Sequence, residues 1–307
     1  MLKRSNLGDF FLEDALPSLE FVAAEEFMSF APRYEMIFNV GDMKGSIIQS
    51  SQISALEAAG VVEEGAQIPT QDVIQGYDKT YKAVKYGLMV ALTQEAIDDG
   101  NLSLMEKHSR RLSQAFMEAC EIKAAAVLNN GLAGSENGPD GVPLFSLVHP
   151  LLKGGTNSNK LATAADLSAT TLKALITLLR QTRDTANNRI HLKPAKLIVP
   201  ADLEFTAHEI LKSSLLVDSA NASVNATNAV KDRYSMEIVV NDYLTDSDAC
   251  MVLSDKDSHE LHYFWRARPA ISTDTEFKSE VKLMKISGRF DVGFSDYRGI
   301  VGTEGAA

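Results

Sequence analysis

Residues 102–132 read LSLMEKHSRRLSQAFMEACEIKAAAVLNNGL. The apolar side chains of this stretch recur every three or four residues, which is typical of one buried face of an α-helix. That face carries Leu112, Ala115, Phe116, Ala119, Ile122, Ala126 and Val127. A helix of about 30 residues is roughly 45 Å long, which exceeds most helices of globular proteins. We therefore predict a strut that spans a whole domain and ends at the glycines from Gly131 onward.

The segment before this helix predicts an extended β-hairpin. Alternation of apolar and polar residues begins at Met36, continues over 47–53 and resumes from Tyr77 to Leu92. Between these runs, residues 60–71 are polar and rich in turn-forming residues. We expect strands from Met36 onward, a long hairpin with an irregular tip, and a return strand that leads to the helix.

The first residues of the chain predict an amphipathic arm. Residues 12–30 carry apolar side chains at helical spacing, with Pro17 as an early breaker. The segment precedes the first strand pattern, so no neighbour in sequence covers its apolar face. Docking on another subunit is one way to bury that face.

Beyond the long helix, the pattern alternates between helices and strands. Residues 168–186 predict an amphipathic helix with Ser168 as its N-cap, and 203–213 predict a second helix. Small polar residues at 154–159 and 221–228 predict exposed loops. The predicted strands are 197–200, 237–240, 249–254 and 277–294.

The composition argues against several functional classes. The 307 residues carry a net charge of −11, whereas surfaces that grip nucleic-acid phosphates are rich in Lys and Arg. Cys120 and Cys250 are too few for a disulfide framework and lack zinc-ligand spacing, so a reducing compartment and no structural zinc are expected. With neither a signal peptide nor a run of about 20 apolar residues, we expect a soluble protein without a membrane partner.

The residues that most often carry catalysis form no recognised motif. The histidines belong to no HExxH or triad-like pattern. They are His108, His149, His191, His208, His259 and His262. The spacing of the last two suits a surface or interface pair better than a metal site. Adjacent carboxylates at 63–64 and 98–99 seldom converge on a substrate, and no glycine motif for nucleotides is present. We therefore predict no catalytic, cofactor or metal site.

The order of arm, long hairpin, long helix, α/β region and closing strands resembles the Hong Kong 97 capsid fold of tailed phages and encapsulin compartments, an α+β fold. A closer resemblance is to Mu-like major head subunits, and three stretches carry it. They are Gly141-Val142-Pro143-Leu144-Phe145 running to His149-Pro150, Leu197-Ile198-Val199-Pro200 with Leu203-Glu204-Phe205-Thr206-Ala207, and Arg289-Phe290-Asp291 to Tyr297-Arg298-Gly299.

The resemblance implies a division of the chain into five segments. They are an N-terminal arm (1–35), an extended loop with flanking strands (36–92), the spine helix of a peripheral domain (93–133), an axial domain (134–262) and closing strands of the peripheral domain (263–307).

The resemblance also implies a function. The protein would be a major capsid protein, not an enzyme, that assembles in the host cytoplasm into hexamers and pentamers of the icosahedral shell around phage DNA. Implied partners are copies of itself, a scaffolding protein, a portal and a decoration protein. Packaged double-stranded DNA would face the inner surface without sequence specificity. Because the arm pattern begins almost at once, a separate scaffold or a processed form is expected.

Two alternative functions remain open at this stage. An encapsulin-like compartment would use the same fold to enclose a cargo enzyme. A soluble α/β enzyme or binding protein would instead be a compact monomer with one deep pocket. The long polar hairpin argues against the monomer, which gains little from so long an extended loop.

The resemblance marks two groups of charged residues as subunit-interface candidates. Glu63 and Glu64 stand in a sequence similar to the acidic-Gly signature of extended loops, whose tip lies across a neighbouring subunit. Lys79, Lys82 and Lys85 are candidates for the lysine of an isopeptide crosslink, as in the namesake phage. Lysines on a polar strand are ordinarily just solvated.

An aromatic and basic cluster adds three more interface candidates. Trp265 is a large side chain that is expected to anchor either the core or an interface. Arg266 and Arg268 are candidates to pair with carboxylates of a neighbour, such as those at 63–64.

Overall fold

The computed structural model describes residues 32–65, 67–93, 95, 102–213, 228–278 and 281–306. The helices in this part of the chain are α1 (Tyr34–Ile37), α2 (Leu102–Ala133), α3 (Ala169–Gln181), α4 (Glu204–Lys212) and α5 (Ala229–Arg233). The strands are β1 (Asn39–Asp42), β2 (Ile47–Ile53), β3 (Gln75–Lys82), β4 (Val84–Leu92), β5 (His149–Pro150), β6 (Thr156–Asn157), β7 (Pro194–Val199), β8 (Glu237–Val240), β9 (Cys250–Ser254), β10 (Leu261–Thr275), β11 (Lys282–Phe294) and β12 (Ile300–Thr303).

The first sheet contains its strands in the order β1, β10, β11, β4. β1 runs parallel to β10, and the other two pairings are antiparallel. α2 packs against β11 and β4, and a Cβ added at Gly288 of β11 would lie 2.8 Å from the ring of Phe116. Phe116 and Leu128 of the helix share one core with Ile286 and Phe290 of the sheet. The predicted strut is confirmed, and this sheet is the surface that it covers.

The second sheet has the order β12, β9, β7, β8. β7 and β8 are parallel, and the other pairings are antiparallel. Leu197 and Val199 of β7 face a core that they share with α3, α4 and α5. Ile198, between them, belongs to the core of the first sheet. This sheet is therefore buried on both faces, as the continuous apolar run of β7 predicts.

The predicted long hairpin is confirmed as a separate two-stranded sheet of β2 and β3. Its antiparallel register runs from Ile47 opposite Lys82 to Ile53 opposite Gln75, so residues 54–74 connect the two strands. β4 follows β3 almost directly and pairs with β11. The chain thus passes straight from the hairpin into the edge of the first sheet.

The strand predicted from Met36 is wrong at its start, because α1 stands there and β1 begins only at Asn39. Ile37 and Phe38 are both buried, whereas successive side chains of a strand point to opposite faces. A helical turn lets both reach the core. The carboxylate of Glu121 stabilises this turn by accepting hydrogen bonds from two backbone N–H groups at its beginning.

The helix predicted over 168–186 begins as expected but ends early. The Ser168 hydroxyl accepts a backbone N–H of the first turn at 3.1 Å, which confirms the predicted N-cap. The helix ends at Gln181. Beyond it, the Asp184 carboxylate accepts the backbone N–H groups of Ala186 and Asn188, each at 2.8 Å, and this turn replaces the last predicted helical residues.

The division into arm, extended loop and domains stays a prediction. Most of the predicted arm lies outside the described residues, because these begin at residue 32. The loop predicted at 221–228 also lies outside them, except for its last residue. β12 pairs with β9. The last strand of the segment predicted to close the peripheral domain (263–307) therefore lies in the second sheet.

Gly299 lies at the entry to β12 and has a φ of +90°. A Cβ there would lie 2.5 Å from the carbonyl oxygen of Ser258. We expect Gly299→Ala to lower the free energy of unfolding by about 2–3 kcal/mol, because both the backbone conformation and the contact become strained. Gly60→Ala is the control, since an added Cβ there meets nothing within 4 Å. Urea denaturation of dissociated subunits would measure both, and equal stabilities would contradict the prediction.

Candidate assembly surfaces

Residues 54–74 form an exposed segment that we call the hairpin tip. Its described residues contain no helix or strand. Large apolar side chains are exposed there, among them Val61 at 100% and Ile68 at 75%. The tip carries four carboxylates and no Lys, Arg or His. The carboxylates are Glu57, Glu63, Glu64 and Asp72. Its surface is thus both apolar and acidic.

The hairpin tip is held at its root by contacts with a distant part of the chain. The backbone N–H of Ala55 donates to the Thr185 hydroxyl at 2.6 Å, and the amide of Asn188 donates to the carbonyl of Leu56 at 2.8 Å. Lys153 lies 2.7 Å from the carboxylate of Glu57. These contacts fix the direction in which the tip leaves the subunit. Glu63 and Glu64, further along, are exposed.

The three candidate lysines differ in their surroundings. Lys79 is half-buried, and its ammonium group lies 5.6 Å from the centre of the Phe294 ring. Lys82 and Lys85 are exposed, and the backbone N–H of Lys82 donates to the Asp291 carboxylate at 2.7 Å. Burial raises the pKa of that carboxyl. Lys79 and Lys82 lie on β3 and Lys85 lies on the edge strand β4, and a role in a crosslink stays a prediction.

Trp265 lies inside its own subunit. It is 3% exposed and its ring centre lies 5.1 Å from that of Tyr263 and 5.2 Å from that of Phe290. Of the two roles expected for this residue, the structure shows the core role. A buried ring cannot contact a neighbouring subunit, so the prediction of Trp265 as an interface residue is corrected.

The two candidate arginines beside Trp265 already have partners in their own chain. Arg266 donates to the backbone carbonyl of Met43 at 3.0 Å and to that of Lys44. Arg268 lies 3.3 Å from the carboxylate of Asp42, and both of these side chains are 66% exposed. An exposed pair of this kind contributes little stability. Contacts of either arginine with residues 63–64 of a neighbour stay a prediction.

Glu121 is a buried carboxylate that belongs to no motif in the sequence. One of its oxygens accepts the backbone N–H of Arg33 at 2.7 Å and that of Tyr34 at 3.4 Å. Burial raises the pKa of Glu121. Its position on the face of α2 that carries Met117 and Ala125, both buried, could have signalled a buried charge in need of a partner. Glu121 joins the beginning of α1 to the strut.

His149 forms a buried polar network that looks like part of a catalytic site. Nδ1 of its ring lies 2.6 Å from the Asp140 carboxylate, and Nε2 lies 3.1 Å from the side-chain oxygen of Asn159. The ring stacks on Tyr297 at 3.6 Å between centres. Because protein groups occupy both ring nitrogens and the ring is fully buried, it cannot reach a substrate. The network holds the connection between α2 and α3 against the end of β11.

The histidine pair predicted to be a surface or interface pair is split between core and surface. His259 is buried, and burial lowers its pKa to about 4. His262 is only half-buried and lies 2.7 Å from the Glu260 carboxylate. Within the described ranges, no group of three or more His, Cys, Asp or Glu side chains could hold a metal ion. No helix in that part of the chain is long and apolar enough to cross a bilayer.

An open cleft of about 720 Å³ lies between the end of α3, the residues before β7, and the end of α5. We call it the axial cleft. Its lining includes Arg180, Arg189, His191, Lys193 and Arg233 and no carboxylate.

A comparison with family models finds one described as phage capsid protein, which matches residues 76–302. The capsid of a native GTA particle is similar in structure, with a TM-score of 0.59, 14% identity, and 91% of each chain covered. A structure from Microbacterium phage Oxtober96 has a TM-score of 0.57 at 14% identity and covers 89% of this chain and 90% of that one.

An encapsulin also shares the fold. The holo-SrpI encapsulin complex from Synechococcus elongatus PCC 7942 has a TM-score of 0.53 at 8% identity, and the match covers 89% of this chain and 87% of that one. A search of curated proteins gives no match.

The raised pKa of Glu121 predicts a pH-dependent effect of Glu121→Gln. Because the folded state holds the proton more tightly than the unfolded state, wild-type stability falls as pH rises from the ordinary glutamate pKa of 4.5 to the raised value. Glutamine has no such proton. We expect the stability of Glu121→Gln relative to wild type to improve with rising pH in this window and then to stay constant.

Urea unfolding of dissociated subunits at several pH values would measure this difference. Glu118→Gln is the matched control, since this exposed residue lies one turn earlier on α2 and should show no such trend. A Glu121→Gln difference that is independent of pH would show that the carboxyl pKa is unchanged by folding.

Proposed function

The chain belongs to the phage capsid protein family and has the Hong Kong 97-like fold, and from this premise we propose how it builds its shell. It is a structural protein of the virion capsid and not an enzyme. We propose that copies associate into hexamers and pentamers, and that these close into the icosahedral shell around phage DNA.

The main support for this proposal is the exposure of large apolar side chains on the hairpin tip. A monomer would expose Val61 and Ile68 to water and would gain nothing from the long connection between β2 and β3. A neighbouring subunit can cover these side chains. Glu63 and Glu64 lie between the two apolar positions, so the partner surface needs both apolar area and positive charge.

Weak contacts suffice for such a shell. Each subunit touches several neighbours, and a closed symmetric assembly multiplies their modest contributions. A single weak contact can still open and correct an error during growth. An exposed contact segment that projects from a packed subunit, such as the hairpin tip between β2 and β3, suits this requirement.

The finer parts of the proposal come from the resemblance seen in the sequence. We infer that the subunit resembles Mu-like major head proteins and that a scaffolding protein, a portal and a decoration protein join the assembly. DNA would lie against the inner face without sequence specificity, which the net charge of −11 supports, because the shell should not hold the DNA tightly.

A compartment shell is the second candidate, since an encapsulin shares the fold. The two functions differ in what the shell encloses. The genes next to this one would distinguish them: a terminase, portal and scaffold would support the capsid, whereas a lone neighbouring cargo enzyme would support the compartment.

Electron microscopy with light scattering tests the proposal directly. We expect the chain to form rings, tubes or closed shells, either alone or with the scaffolding protein of the same locus. A strict monomer under both conditions would contradict the proposed assembly.

Charge reversal at the hairpin tip tests its role in assembly. The double variant Glu63→Lys, Glu64→Lys should unfold within about 0.5 kcal/mol of wild type, because both side chains are exposed. Its yield of shells should nevertheless fall about tenfold, since a mismatched contact is repeated around the assembly. The matched control is Asp255→Lys, Asp257→Lys, another exposed pair. Equal shell yields from both variants would show that the hairpin tip is not part of a subunit interface.

A further inference from the structure

The axial cleft is an unusual concentration of positive charge on an acidic protein. Four of its lining side chains are Arg or Lys and a fifth is His, whereas the whole chain has a net charge of −11. All five basic side chains are exposed. Within the part of the chain that the structure describes, the side chains of Arg189, His191 and Lys193 have no hydrogen bond or ion pair. These groups are available to an anionic partner.

The pKa of Tyr234 is lowered by the positive charges that line the axial cleft. Its hydroxyl accepts a hydrogen bond from Arg180 at 3.0 Å, and the guanidinium of Arg233 lies 6.0 Å from the centre of its ring. Desolvation alone would raise the pKa of Tyr234, but the hydrogen bonds and positive charges of Arg233 and Arg180 outweigh it and lower that pKa. The cleft therefore favours a negative group.

A complementary surface lies at the beginning of α4, and we call it the acidic knob. It consists of Asp202, Glu204 and Phe205. The Phe205 side chain is 79% exposed. No ion pair of either carboxylate is found among the described residues. An exposed aromatic ring beside two carboxylates is typical of an interface anchor whose charges set the orientation of the partner.

The axial cleft and the acidic knob lie at opposite ends of β7. Lys193 directly precedes this strand, and the knob follows its last residue, Val199. Arg233 and Tyr234 precede β8, which runs parallel to β7, so they share the end where Lys193 lies. A strand of six residues is about 20 Å long. The knob is therefore too far away to fill the cleft of its own copy.

We propose that the acidic knob of one copy docks in the axial cleft of the next. Because the two surfaces differ, the contact is head-to-tail, and a repeated head-to-tail contact closes into a ring when its rotation divides a full turn. This proposal rests on the proposed function and adds the contact that forms the rings. Phe205 supplies the buried anchor, and the arginines and lysine select the orientation in which the carboxylates meet them.

Charge exchange between the two surfaces tests this contact. The cleft variant is Arg189→Glu, Arg233→Glu, and the knob variant is Asp202→Lys, Glu204→Lys. We expect each alone to raise the concentration needed for ring or shell formation about tenfold or more, as like charges now face each other. Combined in one chain, the four substitutions restore opposite charges and should restore assembly. Phe205→Ala removes the apolar anchor and changes no charge, and it should weaken assembly about tenfold.

The control is Lys173→Glu, Lys278→Glu, which makes the same charge change at exposed positions outside the cleft. Thermal unfolding of the dissociated subunits should show that every variant is folded. Assembly would be followed by native mass spectrometry and electron microscopy at several salt concentrations, and the contact should weaken as salt rises.

The outcomes separate this proposal from the proposed function. If the unmodified chain forms no ring or shell, the proposed function fails. If it assembles and the folded cleft variant assembles equally well, only the docking proposal fails. Failure of the four-substitution chain to recover would also overturn the pairing of these two surfaces. Tripolyphosphate or a short DNA duplex that binds dissociated subunits through Arg189 and Arg233, with assembly unaffected, would identify the cleft as an anion site and overturn it too.

Discussion

The packing of α2 on β11 is the contact on which the rest of the subunit depends. The ring of Phe116 lies directly against the backbone at Gly288, where any side chain would push the helix away. The same helix carries Glu121, which holds the beginning of α1. The same strand pairs with β4, which continues from the hairpin. A change in this packing would therefore move the root of the hairpin and the beginning of α1 together.

The two hydrophobic cores connect different elements of the fold. The first joins the strut to the long strands and gives a rigid body, whereas the second joins three short helices to the outer face of β7. β7 contributes to both through alternate side chains, so the sheets cannot move independently without opening a core. Rigid bodies of this kind suit a shell, since a contact made at one edge keeps a defined direction relative to a contact at the other.

The surfaces that the subunit leaves uncovered are mutually complementary in charge. The hairpin tip and the acidic knob are negative with exposed apolar side chains, and the axial cleft is positive. His149, whose ring pairs with the Asp140 carboxylate, is buried away from all three surfaces, and protein groups engage both of its ring nitrogens. The chemistry of this protein is recognition between copies, in which apolar anchors provide affinity and charges provide orientation.

Periodicity and local capping in the sequence predicted the strut, the hairpin and the helix that begins after Ser168. The α+β class followed from the family resemblance that the order of these elements carries. The resemblance also marked Glu63 and Glu64 as part of an exposed tip. Contacts in the folded chain bury Trp265 in the core, form α1 where a strand was predicted, and pair β12 with the second sheet. They also assemble the axial cleft from residues 180–193 and 233–234. These features depend on burial, on hydrogen bonds to a carboxylate of a distant helix, and on strand pairing. Such contacts join remote parts of the chain, so no local sequence pattern predicts them.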